Sequence, residues 1–479
     1  MIEHREFYVG GAWVGAADGR DFSLIDPATE DACGVISLGS VADADAAVAA
    51  ARAAFPAWAA RPSAERRALI ARILEIYEAR AEDLAQAISL EMGAPIDWAR
   101  RAQVPAGANN IRALLAALDD FAFDHPLGPR VPGLQILHDP VGVCALITPW
   151  NWPLNQVTHK VAPALAAGCT MVLKPSEYAA LSARVFTEIL DAAGTPPGVF
   201  NMVYGDGAGV GRHLSNHSGI DMVSFTGSTR AGREIGRAAA DSFKRIALEL
   251  GGKGANLVFA DAPDGSVKSG ARQVFNNSGQ SCDAPTRMLV ERSIYDEAVE
   301  IAALTAETTL VGPSSQSGRH VGPVVNRAQY DKVQSLIEAG LAEGARLVAG
   351  GPGRPDGLNR GFYVRPTVFA DVTNTMTIAR EEIFGPVLSI LPFDSEDEAI
   401  AIANDTAYGL TNYIQSADPA RIERIARQLR SGGVEVNGKG TGPGAPFGGM
   451  KASGIGREGG LHGLMEFLET KAVSNWPQA

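Results

Sequence analysis

The sequence predicts an α/β fold built on parallel sheets with crossover helices. From about residue 141 the chain contains short apolar runs, among them VGVCALITPW, GCTMVLKPS and DMVSFTGS, that close on turn-forming residues. Helical stretches such as LSARVFTEILDAAG separate these runs, and a second alternation follows Gly251. Apolar strands that alternate with helices are typical of parallel sheets, which bind ligands at the carboxyl ends of their strands.

The segment of residues 40–118 is predicted to be mainly helical. Residues 40–118 are rich in Ala, Arg and Glu, and the segment from Ser63 to Gly93 has a candidate N-cap and C-cap at its two ends. Its apolar residues at near-helical spacing predict a core face: Leu69, Ile73, Ile76 and Leu84. Residues 119–140 are broken by Pro and Gly and indicate an excursion with extended segments.

Length, charge and cysteine content define the class of protein. A chain of 479 residues predicts two or three domains. Its net charge of −12, without a dense basic run, argues against nucleic acid or an anionic membrane as a partner. The N-terminus lacks a signal-peptide core, no apolar run has transmembrane length, and no CxxC pair occurs among four cysteines. We therefore expect a cytoplasmic protein in a reducing compartment.

Several motifs at strand ends carry polar side chains suited to binding. Asn151 in ITPWNWP can donate to an oxyanion or serve as a turn residue, and Lys174 and Glu177 in VLKPSE can bind a ribose or form a solvated pair. The loop YGDGAGVG resembles a dinucleotide fingerprint but has Val210 where the third Gly is required. In FTGSTRAG, small residues open a helix whose N-terminus can accept a pyrophosphate.

Two further residues are candidates for chemistry. Cys282 lies in NNSGQSCDAPTR and is either a nucleophile or a buried thiol. Glu249 ends an apolar strand, where desolvation raises a carboxyl pKa towards the range of a general base, unless it is a paired structural residue. His213 and His217 have the i, i+4 spacing of metal ligands but no third ligand nearby in sequence, so we predict no metal site.

Taken together, the motifs resemble those of the NAD(P)-dependent aldehyde dehydrogenases. The shared elements, in the family's order, are PWN, KPSE, FTGST, ELGGK, GQSC, EEIFGPV and PFGGMKASGIGRE, and they extend over nearly the whole chain. The resemblance implies an aldehyde dehydrogenase-like fold with a Rossmann-type cofactor domain, an α/β catalytic domain and a small β oligomerisation extension. It implies a cofactor domain of residues 1–118 and 141–250, a catalytic domain of 251–450, and oligomerisation segments of 119–140 and 467–479.

The resemblance also implies roles for individual residues. Cys282 matches the nucleophile, Glu249 the general base, and Asn151 the side-chain donor of an oxyanion hole completed by the Cys282 amide. The residues that match cofactor-binding positions are Trp150, Lys174, Glu177, Gly207, Ser228, Glu382 and Phe384. Glu177 favours NAD over NADP, because a carboxylate repels a 2′-phosphate. The other three cysteines, Cys33, Cys144 and Cys169, lack catalytic neighbours and are expected to be structural.

The matched substrate tunnel is unusually polar. Its predicted residues are Trp152, Gln156, His159, Asn276, Ser281, Asp283 and Phe447. The hypothesis is a wide, polar mouth for a bulky or functionalised aldehyde, and the alternative is that these rim residues have little influence. A semialdehyde dehydrogenase of specialised catabolism and a non-catalytic relative are the competing functions. The resemblance further implies a homodimer or homotetramer in which 119–140 and the C-terminal strand pair between subunits.

Overall fold

The computed structural model describes residues 2–477. Its strands form four sheets. In chain order the strands are β1 (Ile2–His4), β2 (Glu6–Val9), β3 (Ala12–Gly15), β4 (Arg20–Ile25), β5 (Ala32–Leu38), β6 (Asp124–Pro126), β7 (Gln135–Pro140), β8 (Val143–Ile147), β9 (Thr170–Lys174), β10 (Phe200–Met202), β11 (Met222–Thr226), β12 (Arg245–Glu249), β13 (Ala255–Val258), β14 (Arg287–Glu291), β15 (Arg346–Ala349), β16 (Thr367–Ala370), β17 (Val387–Phe393), β18 (Thr411–Gln415), β19 (Gly433–Val436), β20 (Gly454–Ile455) and β21 (Leu468–Val473).

The helices connect these strands and cover the two large sheets. They are α1 (Val41–Ala59), α2 (Ser63–Ala79), α3 (Ala81–Met92), α4 (Ile96–Trp98), α5 (Val104–Asp120), α6 (Pro153–Ala167), α7 (Ala180–Ala192), α8 (Arg212–Asn216), α9 (Thr229–Ala240), α10 (Ser266–Phe275), α11 (Tyr295–Glu307), α12 (Arg327–Ala342), α13 (Thr377–Arg380), α14 (Glu396–Asn404), α15 (Pro419–Ala426) and α16 (Gly460–Glu466). Short 3₁₀ or π-helical turns lie between some of them, at 99–103, 177–179, 207–211, 276–279, 292–294 and 451–453. Among the described helices, none is both long and apolar enough to cross a membrane.

The first large sheet positions the strand-end motifs. It has eight strands in the order β20-β12-β11-β8-β9-β10-β2-β3, of which β12 to β10 run parallel. Strands β8, β9 and β11 are buried along their whole length, as their apolar sequences predict. Ile147 is opposite Lys174, and Thr226 is opposite Glu249. The polar residues after these strands therefore meet along one edge of the sheet.

The second large sheet has seven strands in the order β15-β16-β17-β14-β13-β18-β19. All its pairings are parallel except that of β15, which lies antiparallel at the edge. Two apolar clusters pack on its faces. The two large sheets confirm the predicted α/β class, with helices as the crossovers.

The excursion and the C-terminal strand form a separate small sheet. We expected them to pair between subunits, but β21 pairs antiparallel with β7 of the same chain, and β6 adds a third strand. All six residues of β21 have a partner in β7, from Leu468 opposite Pro140 to Val473 opposite Gln135. Within the described residues no strand covers the other edge of β21. The predicted segment 467–479 also includes residues 478 and 479, which lie outside the described part.

The predicted helix from Ser63 to Gly93 is two helices. Ser63 is the first helical residue rather than the N-cap, and the helix breaks at Arg80, which has φ −99° and ψ 15°. Buried Tyr77 and Leu84 lie on opposite sides of the break but keep helical spacing, so the sequence period does not reveal it. Gly93 ends the second helix with φ 82°, as predicted.

Candidate active site

Cys282 lies between two cavities at the carboxyl edge of the first sheet. One, the sheet-edge cavity, has a volume of about 220 Å³, and Asn151, Glu249, Cys282 and Glu382 are in its wall. The other, the mouth cavity, has a volume of about 350 Å³, and its wall also includes Cys282. Cys282 is therefore a residue shared by the walls of both cavities.

A tight turn after α10 brings Cys282 to this place. Asn277 and Ser278 have left-handed backbone angles, with φ of 53° and 56°, and Gly279 follows with φ 73°. A Cβ on Gly279 would lie 2.0 Å from the carbonyl carbon of Gly385, so only glycine fits there. The strained backbone of this turn lies next to Cys282, the candidate nucleophile. Such backbone strain is often found at active sites.

A buried amide network fixes Asn151. The side-chain Nδ2 of Asn151 donates to the main-chain carbonyl of Gln280 at 3.0 Å. The main-chain carbonyl of Asn151 accepts from Gln103 Nε2 at 3.1 Å and from Asn277 Nδ2 at 3.0 Å. Gln103 and Asn277 are themselves joined at 2.9 Å. An amide nitrogen has two N–H groups, so one remains for a ligand. The sequence showed no sign of Gln103 or Asn277 in this role, since both contacts depend on the tertiary fold.

Burial controls the charge of the Cys282 thiol. Desolvation, followed by the nearby carboxylates of Asp283, Glu382 and Glu249, raises the pKa of Cys282 well above its ordinary value. Without a bound ligand, the sulfur is therefore a neutral thiol at pH 7. A positive charge or a proton acceptor brought into the sheet-edge cavity would favour the thiolate.

Glu249 is a buried carboxyl group without a partner. Its side chain is 3% exposed, and neither carboxyl oxygen has a hydrogen bond within the described residues. Burial, reinforced by the charge of Glu458, raises its pKa well above the usual value. Gly448 makes room for it, because a Cβ there would lie 2.5 Å from Glu249 Oε1. Such a group can accept a proton from a ligand that enters the cavity.

A second buried charge cluster lies beside Glu249. The fully buried amine of Lys160 forms an ion pair with Glu458, and His159 Nδ1 lies 3.3 Å from Glu458 Oε2. Burial alone would raise the pKa of Glu458, but Lys160 and His159 outweigh it and lower this pKa. Glu458 therefore stays charged and acts on Glu249. The sequence motif that ends in Glu458 was recognised, but its pairing with Lys160 was not, because the two are far apart in the chain.

Four of the predicted cofactor residues surround the sheet-edge cavity. Trp150 and Phe384 form an edge-to-face pair with ring centroids 5.5 Å apart, and Phe384 has the uncommon φ of 59°. Glu382 accepts from the Gly252 amide at 2.9 Å. Ser228 lines the same cavity and caps α9, its Oγ accepting from Ala231 N at 3.3 Å. The buried hydroxyl of Thr226, also in this wall, has no partner within the described residues, which suits a polar ligand.

The other three cofactor residues lie towards a groove between α8 and α9. Gly207 lines this groove, whose volume is about 560 Å³. Lys174 Nζ donates to the carbonyl of Gly205 at 2.5 Å and lies 3.8 Å from Glu177 Oε2. Burial lowers the pKa of Lys174. Three features follow one another along the carboxyl edge of the first sheet: this groove, the end of α9 that Ser228 caps, and the sheet-edge cavity. This arrangement fits an extended dinucleotide.

Five of the seven predicted tunnel residues line the mouth cavity. They are Trp152, Gln156, His159, Asp283 and Phe447. Ser281 lies behind this wall, where its Oγ accepts from the Trp152 indole at 2.8 Å. Asn276 is exposed and outside the wall, because the left-handed turn after it directs Asn277 inwards instead. The sequence missed four polar residues of the wall, Asn109, Asn110, Asn155 and Thr441.

His213 and His217 do meet a third side chain. Asp45 Oδ1 lies 2.6 Å from His213 Nε2 and 3.2 Å from His217 Nε2. However, His217 Nδ1 accepts from the Gly219 amide at 2.8 Å, so the proton of the neutral ring is on Nε2. That nitrogen donates to Asp45 and has no lone pair for a metal. Hydrogen bonding therefore accounts for this cluster.

Comparison with known proteins identifies the family. The model of the aldehyde dehydrogenase family matches residues 13–473. A 3-succinoylsemialdehyde-pyridine dehydrogenase of a Pseudomonas species is 49% identical, covering 99% of both chains. The crystal structure of an aldehyde dehydrogenase from Bartonella henselae is 57% identical with a TM-score of 0.99, covering 99% of this chain and 100% of that one.

A further structure has ligands bound. It is a cysteine-to-alanine mutant of aldehyde dehydrogenase C from Pseudomonas syringae in complex with NAD⁺ and octanal, 49% identical with a TM-score of 0.97, covering 99% of this chain and 97% of that one. The present chain belongs to the aldehyde dehydrogenase family. The predicted family, fold class and enzyme class, an oxidoreductase acting on aldehydes, are confirmed.

Proposed function

We propose that this enzyme oxidises an aldehyde to its carboxylic acid with NAD⁺, through a covalent intermediate on Cys282. The observation that carries the proposal is the position of the Cys282 thiol between two cavities, with the Asn151 amide and the unpaired Glu249 carboxyl in the wall of one of them. The relative from Pseudomonas syringae, with NAD⁺ and octanal bound, supports the same pair of ligands here.

The first half of the reaction forms a thioester. The Cys282 thiol loses its proton to solvent, its sulfur attacks the carbon of the aldehyde held in the mouth cavity, and the carbonyl electrons move to the oxygen. The second N–H of Asn151 and the Cys282 amide stabilise that oxyanion. When bound, NAD⁺ supplies the hydride acceptor, so that collapse of the oxyanion leaves an acyl group on Cys282.

The second half is hydrolysis, which Glu249 assists. Its carboxylate accepts a proton from water, and the resulting hydroxide attacks the thioester and releases the acid and the thiol. The negative charge of Glu458 raises the basicity of Glu249, while Lys160 limits that effect. Splitting the oxidation into two steps is the benefit of the covalent route.

Cofactor choice and assembly are part of the proposal. Glu177, half-buried next to Lys174, favours NAD over NADP because it would repel a 2′-phosphate. The uncovered edge of β21 supports a homodimer or homotetramer, since such edges are normally covered. We also propose a cytoplasmic location.

The polar mouth cavity supports a functionalised substrate, and one relative is named for a semialdehyde that carries a pyridine.

The test is NADH formation at pH 8 with NAD⁺ and aldehydes of increasing size and polarity, together with identification of the acid product. We expect one NADH and one acid per aldehyde, and weaker activity with NADP⁺. Tight binding of NAD⁺ without oxidation of any aldehyde in a broad panel would contradict the proposal.

Substituting Asn151 by alanine tests the oxyanion hole. We expect kcat/KM to fall by roughly a hundredfold or more, because one such donor contributes about 3 kcal/mol to the barrier. The control is Asn404→Ala, which removes an amide that donates to the Gln428 carbonyl outside both cavities. Stopped-flow measurement of NADH formation should show a slower first turnover in Asn151→Ala alone. An unchanged first turnover would exclude Asn151 from the oxyanion hole.

A further inference from the structure

The mouth cavity contains a carboxylate without a counter-ion. Asp283 follows Cys282 directly, is half-buried and lies in the cavity wall. Within the described residues its side chain has no ion pair, while its main-chain carbonyl accepts a hydrogen bond from the Tyr413 hydroxyl. Glu435 lies close by, and burial together with Asp283 raises the pKa of Glu435 to about 7. This part of the wall is therefore acidic.

No permanently charged cation in the described wall compensates that charge. Among the described residues no lysine or arginine lines the mouth cavity. His159 lines it, but its Nδ1 is directed to Glu458. Arg112 reaches Asn109 in the wall at 2.7 Å and is already paired with Glu78. The charge of the wall is therefore set by the Asp283 carboxyl, and because burial raises the pKa of this carboxyl, its ionised form is favoured at alkaline pH.

An unused acceptor lies in the same wall. Gln156 is 3% exposed, and its Oε1 has no hydrogen-bond partner within the described residues. Buried polar atoms are normally paired, so this oxygen is suited to a donor on the substrate. A carboxylate and the negative end of an amide dipole both attract a positively charged group, whether or not that group can donate a hydrogen bond.

We propose that Asp283 makes the mouth cavity selective for aldehydes with a positively charged tail and unfavourable to aldehydes that carry a carboxylate. The inference rests on the proposed function and narrows its substrate class. It decides against a carboxylate-bearing semialdehyde, because such a substrate would place a second negative charge beside Asp283 with no cation in the wall. Asp283 is then a specificity-determining residue.

Two pairs of matched aldehydes test this charge preference. The first pair is propanal with a trimethylammonium group on its third carbon and the uncharged analogue with a tert-butyl group there. The second pair is succinic semialdehyde and its amide. Assays with NAD⁺ at pH 8 minimise any contribution of imidazolium. We expect kcat/KM to favour the cation over its neutral analogue by about tenfold or more, and the amide over the carboxylate by a similar factor.

Variants of Asp283 assign the preference to this residue. The ratio of kcat/KM within each pair should fall towards one in Asp283→Asn and in Asp283→Ser, and stay near the wild-type value in Asp283→Glu. Because both members of a pair meet the same enzyme, a general loss of activity cancels in the ratio. A wild type that does not prefer the cation, or that prefers the carboxylate, would overturn the inference. So would an unchanged ratio in both neutral variants.

The two neutral aldehydes separate this inference from the proposed function. If the wild type oxidises them with NAD⁺ but shows no charge preference, only the role of Asp283 fails. If no aldehyde of the broad panel, these four included, gives NADH while NAD⁺ still binds, the proposed function itself fails.

Discussion

Cys282→Ala loses NAD⁺-dependent aldehyde oxidation by roughly ten thousandfold or more, the scale seen when a covalent nucleophile is removed. Without the sulfur no bond to the aldehyde carbon forms, and the Asn151 amide has no oxyanion to stabilise. The measurement is steady-state NADH formation with an aldehyde that the wild type accepts.

Two controls separate chemistry from folding in this experiment. Cys282 is half-buried, and within the described residues its sulfur makes no hydrogen bond, so the thermal midpoint of Cys282→Ala should stay close to that of the wild type. Cys33→Ala is the matched variant, because Cys33 is also half-buried and its sulfur donates to the Leu24 carbonyl. Residual activity above a few per cent in folded Cys282→Ala would mean that another group is the nucleophile.

Glu249→Gln is expected to complete one oxidation and then stall. The thioester forms with release of one NADH per active site, but hydrolysis lacks its base and slows by roughly a hundred to ten thousandfold. Stopped-flow absorbance should therefore show a burst followed by an almost flat steady state. Glu91→Gln is the matched control, since Glu91 is also a buried carboxyl, bonded to the amides of Leu181 and Ser182 outside both cavities. Its steady state should continue.

The pH dependence follows from the raised pKa of Glu249. Since the carboxylate is the active form, steady-state turnover of the wild type should be low at pH values below that pKa and should rise as the pH passes through it. In Glu249→Gln this limb should disappear from the slow phase. If Glu249→Gln instead shows no burst at all, Glu249 is required before the thioester, for example to deprotonate Cys282.

Much of this site is visible in the sequence because family motifs end strands of one parallel sheet. Strands β8, β9, β11 and β12 end close to Asn151, Lys174, Ser228 and Glu249, so local apolar patterns and turn residues suffice to place these residues together. Tunnel residues are harder to predict, because their direction depends on a turn. The left-handed angles at Asn277 send Asn276 outwards, and nothing in NNSGQSC indicates which of the two asparagines is buried.

What the sequence did not reveal depends on contacts between distant segments. The ion pair of Lys160 with Glu458 joins residues that are 298 positions apart in the sequence. The hydrogen bond from Gln103 to Asn277 joins residues that are 174 positions apart. The N-terminal strands β1 to β5 were also missed. Three of them, β1, β3 and β4, lie at sheet edges, where exposed residues weaken the alternation. The pairing of β21 with β7 in the same chain likewise could not be predicted from local sequence patterns.

The central claim is that the acyl group is carried by Cys282. Glu249→Gln, mixed with NAD⁺ and an accepted aldehyde, quenched in acid and digested, allows the peptide that contains Cys282 to be weighed by mass spectrometry. We expect a mass increase equal to the acyl group less one hydrogen, located on Cys282, absent without NAD⁺ and removed by hydroxylamine. An unmodified Cys282 after a full burst of NADH, or an acyl group on another residue, would contradict it.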